Sequence, residues 1–145
     1  MTTRIIELKQ DIRDLATLLE NMKLPLTVSI TKGKNVTYAQ HKLENLWHRE
    51  ASEQLQQETP EELRGYCKLH FGVSILRAEN DKFREAYDIV LRPLQYEDKI
   101  RLMMVPLDYA VTRLMTTAQK TRYLEAVHNH YLSQGVLLTE PDSER

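Results

Sequence analysis

The chain has 145 residues, 41% of them hydrophobic and 28% charged, with only 4 Gly and 5 Pro. This is a globular composition of one-domain length, which excludes collagen-like and wholly disordered classes and needs no metal or disulfide staple. The 20 Lys and Arg against 21 Asp and Glu give a formal net charge of −1, which excludes a uniformly basic nucleic-acid binder but leaves room for a local basic face.

The first expected element is a strand over 3–8, on the β-branched pair Ile5-Ile6. Asp11 and Asp14 then open a helix carried by Ile12, Leu15, Leu18 and Leu19, which 21–25 stops. Leu26-Thr27-Val28-Ser29-Ile30 alternates as a half-buried strand does, and Lys32-Gly33-Lys34-Asn35 reads as a turn. Thr37 and Gln40 have capping-box spacing, and Leu43, Leu46, Trp47, Ala51 and Leu55 continue one apolar stripe to about Gln57. Thr59-Pro60-Glu61-Glu62 is a second helix start, with Leu63, Tyr66, Cys67 and Phe71 as its stripe and Gly72 as its end. An extended link over 73–76 leads to a helix over 81–91, ended by Pro93, and a short helix over 96–104. A strand over 109–114 follows. Thr116 or Thr117 caps the last helix, whose stripe is Leu124, Val127 and Tyr131, and Gly135 stops it before a short strand over 136–138. The expected class is therefore α+β: a small sheet with an N-terminal strand–helix–strand–helix unit, a helical middle and a C-terminal strand–helix. One domain with two lobes spans 1–138, and 139–145 is an acidic frayed tail.

The longest apolar runs are far short of the roughly 20 residues of a membrane span. The start, Met1-Thr2-Thr3-Arg4-Ile5-Ile6, lacks the basic-then-apolar order of a signal peptide, and the lone Cys67 allows no disulfide within the chain. A cytoplasmic location is expected.

None of the GxGxxG, GxxxxGK[ST], GxSxG or HExxH patterns occurs. Cys67 lies on an apolar stripe, where a buried structural thiol is the simpler reading than a nucleophile. His41, Glu44 and His48, spaced i, i+3, i+7, share one helix face and could converge on a divalent metal; the simpler reading is a solvated polar face opposite Leu43 and Trp47. No metal site or cofactor is expected. Charge is unevenly spread. Residues 32–49 hold four Lys and Arg against Glu44, residues 99–122 hold five against Asp108, and residues 50–62 hold five acids and no Lys or Arg. Such segregation allows a basic track, although ordinary solubilising charges would look the same.

The segment Asn35-Val36-Thr37-Tyr38-Ala39-Gln40-His41-Lys42 resembles the signature of the NinB (Orf) family of phage recombination proteins, roughly N-R-S-L-x-Q-N-R followed by an aromatic within a long helix. Asn35, Thr37 (for Ser), Gln40 and Lys42 (for Arg) match; Val36 and His41 depart, and Trp47 lies slightly beyond the family's tryptophan. Thr112-Arg113-Leu114-Met115-Thr116-Thr117, leading into Tyr123-Leu124 and Gln134-Gly135-Val136, is similar to the family's closing segment, whereas 72–108 matches poorly. The resemblance implies a non-enzymatic homodimer that binds single-stranded DNA in a basic groove. Such a protein helps load a recombinase onto DNA coated by single-strand-binding protein. The DNA-contacting residues implied here are Lys32, Lys34, Asn35, Tyr38, Gln40, His41, Lys42, Arg113 and Lys120. In that set Lys32, Lys34, Lys42 and Arg113 meet phosphates, Asn35 and Gln40 fix the turn and helix start, and Tyr38 stacks on a base. Two other readings stay open: a metal-dependent nuclease using His41, Glu44 and His48, and a protein-only adaptor that docks a host replication or repair protein.

Overall fold

The structure, a computed structural model, describes residue 4 and residues 6–30 and 36–141, apart from the side chains of 36–38. The chain divides into two compact units, Met1–Val36 and Thr37–Arg145.

The described part of the first unit contains one helix, α1 (Lys9–Glu20). Asp11 starts it by accepting the Glu7 and Leu8 N–H groups at 3.0 and 2.9 Å, which lowers the pKa of its carboxyl. None of the α1 residues is buried.

The second unit holds α2 (Val36–Leu55, whose first residue belongs to the first unit), α3 (Pro60–Cys67), a π-helical turn (Lys68–Gly72), α4 (Val73–Glu79) and α5 (Asp81–Ala86). A second π-helical turn (Tyr87–Leu91), α6 (Tyr96–Met103), a 3₁₀ turn (Thr112–Leu114) and α7 (Thr117–Ser133) follow. Thr59 caps α3 with a reciprocal box to Glu62, Asn80 caps α5 through the Phe83 N–H, and Thr116 caps α7 with a box to Gln119. Gly135, at φ +81°, closes α7, with Val136 N–H returning to Tyr131 O at 3.1 Å.

Two cores lie within this unit. Trp47 and Ala51 of α2, Leu63 and Cys67 of α3, and Tyr123, Leu124, Val127 and Tyr131 of α7 form the first. Leu69, Val73, Leu76, Phe83, Tyr87, Leu91, Met103 and Val111 form the second. Both draw on the continuous rod made by α3, the π turn and α4. In the π turn the Val73 N–H reaches back five residues to Lys68 O, which admits one residue more than a regular turn. The rod serves both cores along its length: Leu63 and Cys67, with the partly buried Phe71 and Ile75, pack in the first, and Leu69, Val73 and Leu76 in the second.

The expected α+β class is overturned. The described residues are all helix, turn and irregular chain, with no β-strand. Residues 26–30 have the alternation of a strand but no neighbouring strand to bond, and Ile30 is 88% exposed. Residues 109–114 bury Val111 and then coil into the 3₁₀ turn. After α7, the Leu137 N–H and C=O are both taken by the Gln54 side-chain amide at 2.7 Å, so α2 supplies by side chain what a strand edge would supply by backbone. Glu50 accepts from the Thr139 N–H at 3.0 Å and from its hydroxyl at 2.6 Å, so the segment expected to fray is anchored at its start. The strand expected over 3–8 and the turn over 32–35 fall partly or wholly outside the described residues.

Gly72 does not end its helix, as the sequence suggested, and 73–76 is α-helical, not extended. The glycine answers to space: a Cβ there would lie 2.6 Å from Val111 Cγ1, and a Cβ at Gly65 would lie 2.7 Å from Met104 Cγ. Val111 is β-branched, buried and stiff, whereas Met104 is flexible. Gly72→Ala should therefore cost about 1–2 kcal/mol after the gain in helix propensity, and Gly65→Ala should be near neutral. Urea denaturation of the two variants checks this; a larger loss for Gly65→Ala would refute it.

Candidate functional site

A cavity of about 260 Å³ opens in the second unit. His41 comes to it from α2, Arg64 from α3, Lys68 from the π turn, Arg113 from the 3₁₀ turn and Lys120 from α7, with Asp108 to Thr112 completing the wall. Its character is set by four basic side chains meeting few free acids.

Asp108 organises one side. Its backbone is left-handed (φ 44°), a conformation Asp tolerates better than most residues, and its N–H bonds Met104 O at 2.7 Å. Its carboxylate accepts from Lys68 Nζ at 2.6 Å and Arg64 Nη2 at 2.9 Å. Burial pushes the Asp108 carboxyl up, but these two cations outweigh it, so its pKa is lowered. Lys68 is 2% exposed and donates also to Met103 O at 2.7 Å; desolvation holds its pKa below the usual lysine value. Arg64 makes a two-point bridge to Glu61 at 2.9 and 2.8 Å, which raises its pKa.

The other side rests on a buried polar network. Glu44, 2% exposed, accepts from Lys120 Nζ at 2.7 Å, His48 Nε2 at 2.9 Å and the Tyr123 hydroxyl at 3.0 Å. A carboxylate only accepts, so Nε2 carries the proton and Nδ1 takes the Tyr131 hydroxyl at 2.7 Å. The Cys67 thiol stands 3.7 Å from the same hydroxyl, and burial pushes its pKa up to about 12. Cys67 is thus an inert interior thiol.

The expected site residues fare differently. His41, Arg113 and Lys120 meet at the cavity. Lys42 is exposed but does not line it. Lys120 is only 4% exposed and is ion-paired to Glu44. Gln40 does not reach back to a helix cap: α2 already begins at Val36, and the Gln40 amide donates to Thr121 Oγ1 at 3.0 Å, leaving its Oε1 buried without a partner. Lys32, Lys34, Asn35 and the Tyr38 side chain lie outside the described residues. The polar face of α2 is not solvated as expected, because Glu44 and His48 point inward while His41 is exposed. Among the described residues, no group of three His, Cys, Asp or Glu side chains could hold a metal ion.

Arg64 and Lys68 were missed. Their signal is the i, i+4 spacing of two cations on one helix, an unfavourable pair unless an acid bridges it, as Asp108 does. Conversely, Arg122, counted in the basic segment, is bound by Glu79, with Arg122 Nη2 at 2.6 Å.

Compared with protein-family models, curated proteins and solved structures, the chain matches none of them. Among the described residues, no helix is long and apolar enough to cross a membrane.

Proposed function

We propose that the protein binds single-stranded DNA through this cleft, in the recombination-mediator role that its NinB-like segment suggests. One observation carries the reading: basic side chains from α3, the π turn, the 3₁₀ turn and α7 converge on one cavity, beside His41 from within the NinB-like segment. Such a concentration of cations attracts phosphate, the exposed Arg113 is placed to meet a strand's backbone at the mouth, and Tyr109 adds an aromatic ring to the wall. Lys42, exposed one residue beyond His41, extends the basic surface. The role would be exercised in a bacterial cytoplasm without a cofactor, alongside single-strand-binding protein and a recombinase. A homodimer would double a cleft that by itself engages few phosphates.

The nuclease reading has less to rest on, because Glu44 and His48 spend their polar atoms on Lys120, Tyr123, Tyr131 and each other.

Fluorescence anisotropy with a labelled oligothymidylate tests the proposal. Binding should weaken as salt rises, and Arg113→Ala combined with Lys42→Ala should lower affinity roughly five- to tenfold and flatten the salt dependence. Unchanged affinity in that double variant would move the site elsewhere, and salt-insensitive binding would remove the electrostatic basis of the reading.

A further inference from the structure

We infer that the cleft is built for the terminal phosphate of a DNA strand, in preference to a run of internal phosphates; this rests on the single-strand-binding reading above. The deciding feature is the depth of its cations. Lys68 and Lys120 line the cavity yet are only 2% and 4% exposed. An ammonium carries three N–H groups. Among the described residues Lys120 spends one on Glu44, and Lys68 spends two on Met103 O and Asp108. One N–H of Lys68 and two of Lys120 carry no hydrogen bond among the described residues, although Lys120 Nζ also stands 5.1 Å from the centroid of the Tyr123 ring, and the Arg113 guanidinium is exposed without an ion-pair partner among the described residues. Glu44 balances Lys120, and Glu61 and Asp108 balance Arg64 and Lys68, so the one surplus charge is that of Arg113 at the mouth, which an entering anion meets before the recessed ammonium groups.

Reach decides which anion. An internal phosphodiester leaves the chain on two sides, so its oxygens cannot descend to recessed ammonium groups without both flanking sugars following. A terminal phosphate is tethered by a single ester. It enters end on and presents three free oxygens to several donors at once. A cavity of about 260 Å³ has room for that group and its sugar, not for a run of nucleotides.

Anisotropy with one strand in three forms, 5′-phosphorylated, 3′-phosphorylated and unphosphorylated, tests this, with deoxyadenosine monophosphate as competitor. One phosphorylated form should bind at least about fivefold tighter than the unphosphorylated strand. Arg113→Ala should shrink that difference while leaving the circular dichroism unchanged. Equal binding of the three strands overturns the inference and leaves the single-strand reading standing, whereas failure of every strand to bind overturns both. Competition by the mononucleotide as strong as by the phosphorylated strand overturns the strand as the source and assigns the pocket to a free nucleotide.

Discussion

Replacing Lys120 by Ala is expected to destabilise the fold by about 3–5 kcal/mol, because Glu44 would be left as an uncompensated buried charge. Both side chains are almost wholly inaccessible, at 5% and 3%, and their Nζ–Oε1 distance is 2.7 Å. For a chain of this length the loss corresponds to a fall in Tm of roughly 10–16 °C. Glu44→Gln should cost a similar amount, since the ammonium then loses its counter-charge while His48 and Tyr123 keep a weaker acceptor. Replacing both residues with apolar ones of similar size, Glu44→Leu with Lys120→Met, should recover much of the loss, as removing a whole buried pair is less harmful than removing half. Thermal and urea unfolding of the three variants checks this. A loss under about 1 kcal/mol for Lys120→Ala would mean that the pair is solvated in the folded protein.

The same network makes the fold acid-sensitive. Burial alone would raise the Glu44 carboxyl, but the His48 hydrogen bond and the Lys120 charge outweigh it and hold its pKa below the ordinary 4.5. A folded pKa below the unfolded one gives stability that is complete above about 4.5 and is lost as pH falls towards the folded value. Wild-type stability should therefore decline as pH falls below that point, and the Glu44→Leu/Lys120→Met protein should decline less steeply.

Trp47→Ala is expected to cost about 3–5 kcal/mol and to loosen the C-terminal segment. The indole is 3% exposed, sits in the core beside Ala51 and Val127, and faces the His128 ring at a centroid distance of 5.1 Å. Its Nε1–H donates to Thr139 O at 2.7 Å. Trp47→Phe keeps most of the ring area and loses the donor, so it should cost only about 1–2 kcal/mol while still speeding amide exchange at Leu137 and Thr139. A loss from Trp47→Phe as large as from Trp47→Ala would show that the hydrogen bond, not the buried area, dominates.

Helices were legible where two local signals agreed. Thr59 and Glu62, or Thr116 and Gln119, declare a start, and an apolar stripe behind them declares a buried face. Strands were not legible, because alternation describes one segment and a strand needs two. Residues 26–30 satisfy the pattern and find no ladder; 136–138 meet side chains of α2 instead. Gly72 was read as a stop because conformational freedom is the commoner use of glycine, whereas here the missing Cβ makes room for Val111. The site was half legible for a similar reason. Counting charges along the chain found Arg113 and Lys120 but could not say that Glu44 pairs with Lys120 in the interior, or that Arg64 and Lys68 would join from a helix read only for its apolar stripe.

The rod that contains the wide turn at Lys68–Gly72 carries two seams side by side, Leu63, Cys67, Phe71 and Ile75 towards one core and Leu69, Val73 and Leu76 towards the other, with Lys68 set between Cys67 of the first and Leu69 of the second. Gain or loss of one residue in this rod would misalign both hydrophobic seams and swing that ammonium out of position, so it is the stretch of the chain least able to tolerate a change of length.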